Sequence, residues 1–185
     1  EMGHITRYER DVIGNLTKVT EPNGAVTQYF YDATNRLEQV IDAEGNVYRY
    51  EYDGNSNVTA FVDPRGGRTE IVYDPRNLPI RIVDAEGGTT EYVYDDLGRL
   101  TAEVDHYGGT TTYRYDAAGQ LVKIIDALGH ETSYHYDRAG RLTSILLPTG
   151  ALWRMEYDKR GLLTADIDPL GNRTSYERDA LGRVI

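Results

Sequence analysis

A step of 21 residues, repeated without an insertion, constrains this chain more than any other feature. Tyr-Asp stands at Tyr31-Asp32, Tyr52-Asp53, Tyr73-Asp74, Tyr94-Asp95, Tyr115-Asp116, Tyr136-Asp137 and Tyr157-Asp158. Arg10-Asp11 and Arg178-Asp179 keep the step with arginine in the tyrosine position. A second punctuation has the same spacing, running through Glu21 to Gly24, Asp42 to Gly45, Asp63 to Gly66, Asp84 to Gly87, Asp105 to Gly108, Asp126 to Gly129, Leu147 to Gly150 and Asp168 to Gly171. A unit this small cannot bury a core of its own, so each has to lean on its neighbours. Residues 1–185 are therefore expected to form a single array of about nine units. The start near Gly3 and the end within a strand pattern at Ile185, with no divergent unit at either end, predict a stretch truncated at both ends from a longer array.

Each punctuation has turn chemistry. Aspartate at the first position of Asp-x-x-Gly bonds backbone two residues on, and glycine at the fourth takes the left-handed conformation of a bulged hairpin turn. The first-turn column reads Gly14, Asn35, Ser56, Asn77, Gly98, Gly119, Gly140, Gly161 and Gly182, with Ser56 the weakest fit to positive φ. Proline follows aspartate at Asp63 and Asp168, where φ near −65° suits the second turn position. Between turns lie short segments such as "RLTAEV" and "GTTTYRY", rich in strand formers. The expected fold is all-β: tandem 21-residue β-hairpin repeats in a long antiparallel sheet, curved or spiral because many uncovered strands twist.

Fourteen of the 16 tyrosines, against two phenylalanines, fall in two columns two residues apart, as at Tyr113 and Tyr115. That spacing places them on one sheet face. A bulged-turn register predicts Tyr94 opposite Leu100 and Tyr92 opposite Ala102, with Val104 extending the same aromatic side and the leucine column (Leu16, Leu37, Leu100, Leu121, Leu142, Leu163) supporting it. Arg99, Thr101 and Glu103 are expected on the other, polar face.

The formal charge of −10 weighs against nucleic acid and anionic membrane as partners. No cysteine is present, and no apolar run approaches the length of a membrane span. Exposed sheet edges at the array's ends predict self-association.

The strings "YDDLGRLT", "YDRAGRLT" and "ERDALGRV", joined by "DPLGNRTSY" and "DPRGGRTEIVY", resemble the YD-repeat or Rhs family across essentially the whole chain. Ser56, the prolines Pro75 and Pro79, and Leu147 in place of aspartate are local departures. The resemblance implies a hollow shell of spiralling β-hairpin ribbon that encapsulates a polymorphic C-terminal toxin. Such shells occur in contact-dependent and type VI secreted bacterial Rhs effectors, in Tc insecticidal toxins and, in related form, in animal teneurins. It also implies a non-catalytic role, a secreted or cell-surface bacterial parent, and as partners the toxin cargo, neighbouring repeats and secretion-apparatus proteins. The alternative is a cell-surface adhesin or carbohydrate-binding module, since exposed tyrosines stack on sugars and a periodic face is multivalent.

The structural repeat residues expected to carry the role are the seven Tyr-Asp pairs with Gly98, Gly119, Gly140 and Gly161. A calcium ladder along the aspartates is disfavoured, because turn capping accounts for each one. Asp168-Pro169-Leu170-Gly171 resembles the self-cleavage motif of Rhs cores, but its register is that of an ordinary turn. Asn15, Asn57 and Asn172 match the glycosylation pattern as a by-product of the repeat. His4, His106, His130 and His135 lack metal spacing, although His130 and His135 could approach one another. Trp153 and Met155 read as packing. No catalytic set, metal site or cofactor site is expected.

Overall fold

The structure, a computed structural model, describes residues 5–179 and 182–185, so His4 lies outside the described residues. Contacts divide the chain into two compact units, Glu1–Tyr92 and Val93–Ile185. The first holds β1 (Arg7–Arg10), β2 (Leu16–Thr20), β3 (Val26–Tyr31), β4 (Leu37–Ile41), β5 (Val47–Tyr52), β6 (Val58–Val62), β7 (Arg68–Tyr73), β8 (Pro79–Val83) and most of β9 (Thr89–Tyr94). The second holds β10 (Leu100–Val104), β11 (Thr110–Tyr115), β12 (Leu121–Ile125), β13 (Glu131–Tyr136), β14 (Leu142–Leu146), β15 (Leu152–Tyr157), β16 (Leu163–Ile167) and β17 (Arg173–Ser175). These 17 strands belong to one antiparallel sheet, and no helix occurs among the described residues.

Both punctuations form the expected turns. At the first, Asp116 N–H donates to Gln120 O at 2.9 Å and Gly119 N–H to Asp116 O at 3.0 Å, with Gly119 at φ +84°. The substitutes hold the same conformation: Asn35, Ser56 and Asn77 have φ of 64°, 69° and 63°. Asp168 to Gly171 is likewise an ordinary turn, with Gly171 N–H bonded to Asp168 O at 3.0 Å.

The register differs from expectation at one point, with consequences for every repeat. Strand pairs closed by a first turn contain a further bulge beyond the turn. Tyr115 lies opposite Leu121, but Arg114 lies opposite Lys123 and Tyr113 opposite Ile124. Pairs closed by a second turn run without a shift, as in Ile125↔Glu131 and Lys123↔Ser133. One extra residue exchanges the two faces for the rest of the strand. The column of Tyr92 therefore meets that of Glu103, Ile124 and Ile145, not that of Ala102 and Lys123. Ala102 and Val104 belong to the opposite face from the tyrosines, and Glu103 belongs to theirs, reversing the expected placement. Arg99 also joins the aromatic side, with its guanidinium 4.7 Å from the Tyr115 ring.

On the aromatic face of the second unit, Tyr113, Tyr115, Leu121, Ile124, Tyr134 and Tyr136 stand together. In the first unit Phe61 packs between Tyr48 and Tyr50, with ring centroids at 6.2 and 5.3 Å. The opposite face mixes charged and small residues with an aliphatic column, Val62, Val83, Val104, Ile125 and Ile167. Among the described residues only Ala60 and Ala165 are buried, each on that face. Ala60 is flanked directly by Glu51 and Glu70, and Arg68 reaches across it to both. Arg173 spans Ala165 in the same way, bonding Glu156 through both terminal nitrogens. A small residue in this column lets long neighbours close over the backbone.

Candidate functional site: the tyrosine–aspartate lattice

The second Tyr-Asp column does more than pack. Tyr136 Oη donates to Leu121 O at 2.9 Å, and the same bond spans 15 residues at Tyr31, Tyr52, Tyr73, Tyr115 and Tyr157. The ladder between β12 and β13 ends at Lys123↔Ser133, so the Leu121 carbonyl stands where sheet pairing has opened at the bulge. The phenol of the following repeat satisfies it. Phenylalanine would fill the same space without the donor, which accounts for tyrosine in this column. Arg178 keeps the donor where tyrosine is absent, its Nε bonded to Leu163 O at 3.2 Å. The neighbouring column tolerates Ile71 and Met155, as a packing position can. Tyr94 ends β9 immediately before its own turn.

Each aspartate caps its turn. Asp116 Oδ1 accepts from the N–H groups of Ala118 and Gln120, both at 2.9 Å. Asp32, Asp53, Asp74, Asp95, Asp137 and Asp158 receive equivalent pairs. The second oxygen takes a side chain. Arg36, Arg99 and Arg141 each donate through Nε at 2.7 Å to Asp32, Asp95 and Asp137. Their guanidinium groups then lie over Tyr52, Tyr115 and Tyr157 of the next repeat, at 4.7, 4.7 and 5.0 Å from the ring centroids. Arg36 and Arg141 also donate to the carbonyls of Asp53 and Asp158. At these three junctions consecutive repeats are thus joined twice over, by the phenol and by the arginine.

These donors hold the carboxyls of Asp32, Asp53, Asp74, Asp95, Asp137 and Asp158 below their ordinary range. For Asp32 the largest cause is the backbone N–H of Arg36, opposed by desolvation. For Asp137 it is the Arg141 side chain, and for Asp53 the Asn57 amide. Asn15, Asn57 and Asn172 all bond their own turn aspartates, so the apparent glycosylation pattern records a capping position. His130 does the same through Nδ1, 2.9 Å from Asp126, whereas His135 Nδ1 lies 3.3 Å from Ser144 Oγ. The two histidines have separate partners. Beside His130 a shallow cleft of about 400 Å³ opens toward Leu147 and Pro148, where the repeat lacks its aspartate cap.

The extra bulge brings two carboxylates to the aromatic face: Glu103, expected on the polar one, and Asp166, whose face the spacing alone does not give. Glu103 and Asp166 occupy an aromatic-face column that otherwise holds Val19, Val40, Phe61, Ile82, Ile124 and Ile145. Tyr113 Oη donates to Glu103 Oε2 at 3.3 Å, and Tyr176 Oη to Asp166 Oδ2 at 2.5 Å. The bond to Asp166 is the main cause of a raised Tyr176 pKa. The polar substitutions in this column were visible in the aligned repeats.

Fold and lattice together define an antiparallel hairpin-repeat protein whose units are stitched to one another by side chains at fixed positions. The chain belongs to the teneurin YD-shell family, which matches residues 3–144, and the RHS repeat matches residues 157–185. It is similar to a probable deoxyribonuclease RhsB of Dickeya dadantii (strain 3937), 44% identical over 46 residues that make up 24% of this chain and 3% of the relative. Among solved structures, TcdB2-TccC3 matches with a TM-score of 0.58 and 16% identity over 98% of this chain and 14% of that one. The TcdB2-TccC3-Cdc42 structure matches with a TM-score of 0.57 at the same identity and coverage. The chain spans only a small part of each of these proteins. The repeats are structural shell repeats. No helix among the described residues is long and apolar enough to cross a membrane.

Proposed function

We propose that residues 1–185 are one stretch of a YD-repeat array and serve as non-catalytic wall in a β-sheet shell that encloses the C-terminal toxin domain of a longer bacterial protein. The observation that carries this reading is the stitching of successive repeats. Tyr136 of one unit bonds the Leu121 carbonyl of the unit before, and the same bond recurs along both halves of the chain. A wall needs continuity between identical units more than it needs a site, and these bonds supply it. The Rhs and Tc-toxin relatives support a secreted or cell-surface parent whose partners are its own cargo and the apparatus that delivers it.

The test is electron microscopy of the full-length parent, with intact-mass measurement of the polypeptides in the same particles. Closed hollow particles that retain a separate C-terminal fragment are expected. Extended, empty and uncleaved particles would overturn the reading and favour an adhesin. In that case the aromatic face, where Trp153 is 38% exposed, would be the surface to screen against glycans.

A further inference from the structure

The aromatic face of the second unit carries two carboxylates where a packing column calls for aliphatic side chains. Glu103 on β10 and Asp166 on β16 each sit in register with Ile124 and Ile145, and each is oriented by one tyrosine hydroxyl. Among the described residues neither makes an ion pair with a lysine or arginine. Arg178, whose charge is felt at Tyr176, is bonded instead to the carbonyls of Leu163 and Gly182. A carboxylate on an apolar surface loses hydration when that surface is covered, and the loss is offset only by a partner of opposite charge.

We propose that this face, in residues 93–185, docks a polypeptide segment presenting two cationic side chains, with Glu103 and Asp166 as their anchors and the intervening tyrosines and isoleucines as apolar contact. The chemistry favours lysine or arginine over a metal ion. A divalent cation wants six or more oxygens, whereas each position here offers one carboxylate among aromatic rings. Rings beside a carboxylate are a favourable setting for an organic cation, which gains from both. The chain's net charge of −10 adds long-range attraction.

The geometry also sets a spacing. Six strand steps separate β10 from β16, which at ~4.8 Å each is roughly 29 Å along the sheet, or about nine residues of extended chain. The inference names the face and the occupant's chemistry that the shell reading leaves open, and it rests on that reading for the occupant's being a polypeptide.

The probe is a fluorescent peptide of roughly fifteen residues, uncharged except for two arginines about nine positions apart, titrated against the 185-residue chain by anisotropy at low and high ionic strength. Wild type should bind it and release it as salt rises. The double variant Glu103→Ile/Asp166→Ile should bind at least about tenfold more weakly while melting no lower than wild type, because isoleucine already occupies this column. Asp96→Asn/Glu177→Gln makes the same change in charge on exposed residues away from the face and should bind as wild type does. Equal affinity in the isoleucine variant would overturn the proposal. An equal loss in the control variant would also overturn it, by assigning the binding to net charge alone. Peptide binding by the array together with empty, extended particles of the parent would sink the shell reading while leaving the docking face standing. A filled shell with no peptide binding would do the reverse.

Discussion

The phenol of Tyr136 bonds the main-chain carbonyl of Leu121, fifteen residues earlier, at 2.9 Å. The carbonyl is available because the bulge between Tyr115 and Lys123 has pulled the strand out of register there. The local irregularity therefore accounts for tyrosine in the column that holds Tyr136. Each hairpin bends at a fixed point, and the following repeat fills the hydrogen bond that the bend leaves open.

Removing that donor should be felt in proportion to one half-buried hydrogen bond. Tyr136→Phe is expected to destabilise the chain by about 0.5–1.5 kcal/mol. Tyr134→Phe, at the packing column opposite Ile145, should cost close to nothing. Urea denaturation of the two variants checks this. Equal losses would show that the hydroxyl of Tyr136 contributes no more than solvent does.

The turns, the strands and the sharing of one face by the tyrosines follow from spacing and turn chemistry, because Asp-x-x-Gly and period-two alternation are local signals. The assignment of Ala102, Glu103 and Val104 to faces does not. It depends on a bulge at Thr101 and its equivalents, where Thr17, Thr59, Thr143 and Thr164 share the position with Glu38, Ile80 and Val122, and threonine, common in strands at large, does not by itself signal a bulge. A shift of one residue is cheap in sequence and complete in its effect on the faces. The stitching bond was illegible for the same reason, since an open carbonyl is a property of the register.

Positive φ gives a second test with two opposite signs. Gly119 at φ +84° has only ordinary contact around a built Cβ, the nearest atom being Arg99 Nη1 at 3.6 Å, so a side chain there meets backbone strain and not a clash. Gly119→Ala should cost about 1–2 kcal/mol, and Gly119→Val more because of its β-branch. Ser56 bears the same strain at φ 69°, so Ser56→Gly should raise the melting temperature slightly, glycine's greater unfolded-state entropy offsetting part of the gain. A loss of stability on Ser56→Gly would count against the strain argument.

Arginine at the position after the first turn acts through its shape. Arg141 binds Asp137 through Nε and Nη2, stacks over Tyr157 and donates to the Asp158 carbonyl. Lysine keeps the charge and loses the planar fork. Arg141→Lys should therefore destabilise by about 1 kcal/mol, with hydrogen exchange rising at the turns on both sides of the junction. If exchange rises only at residues 137–140, the arginine caps its own turn without coupling the repeats.

Acid should undo the lattice at many points together. The carboxyls of Asp32, Asp53, Asp74, Asp137 and Asp158 lie below the ordinary aspartate value of 3.8, each held there by donors in its own turn. A depressed folded-state pKa means that the unfolded chain takes up protons first as pH falls. Each group then contributes its full share of stability above the ordinary value and loses it as pH drops toward the folded value. The melting temperature, followed in high salt to screen the net charge, should stay nearly level from pH 7 to about 5 and fall steeply below about 4. Asp32→Asn should lower stability at neutral pH and reduce the drop in acid, because the variant has one fewer group to protonate. A melting temperature that rises on acidification would reverse the sign and show that repulsion among the carboxylates, and not their capping bonds, governs the response.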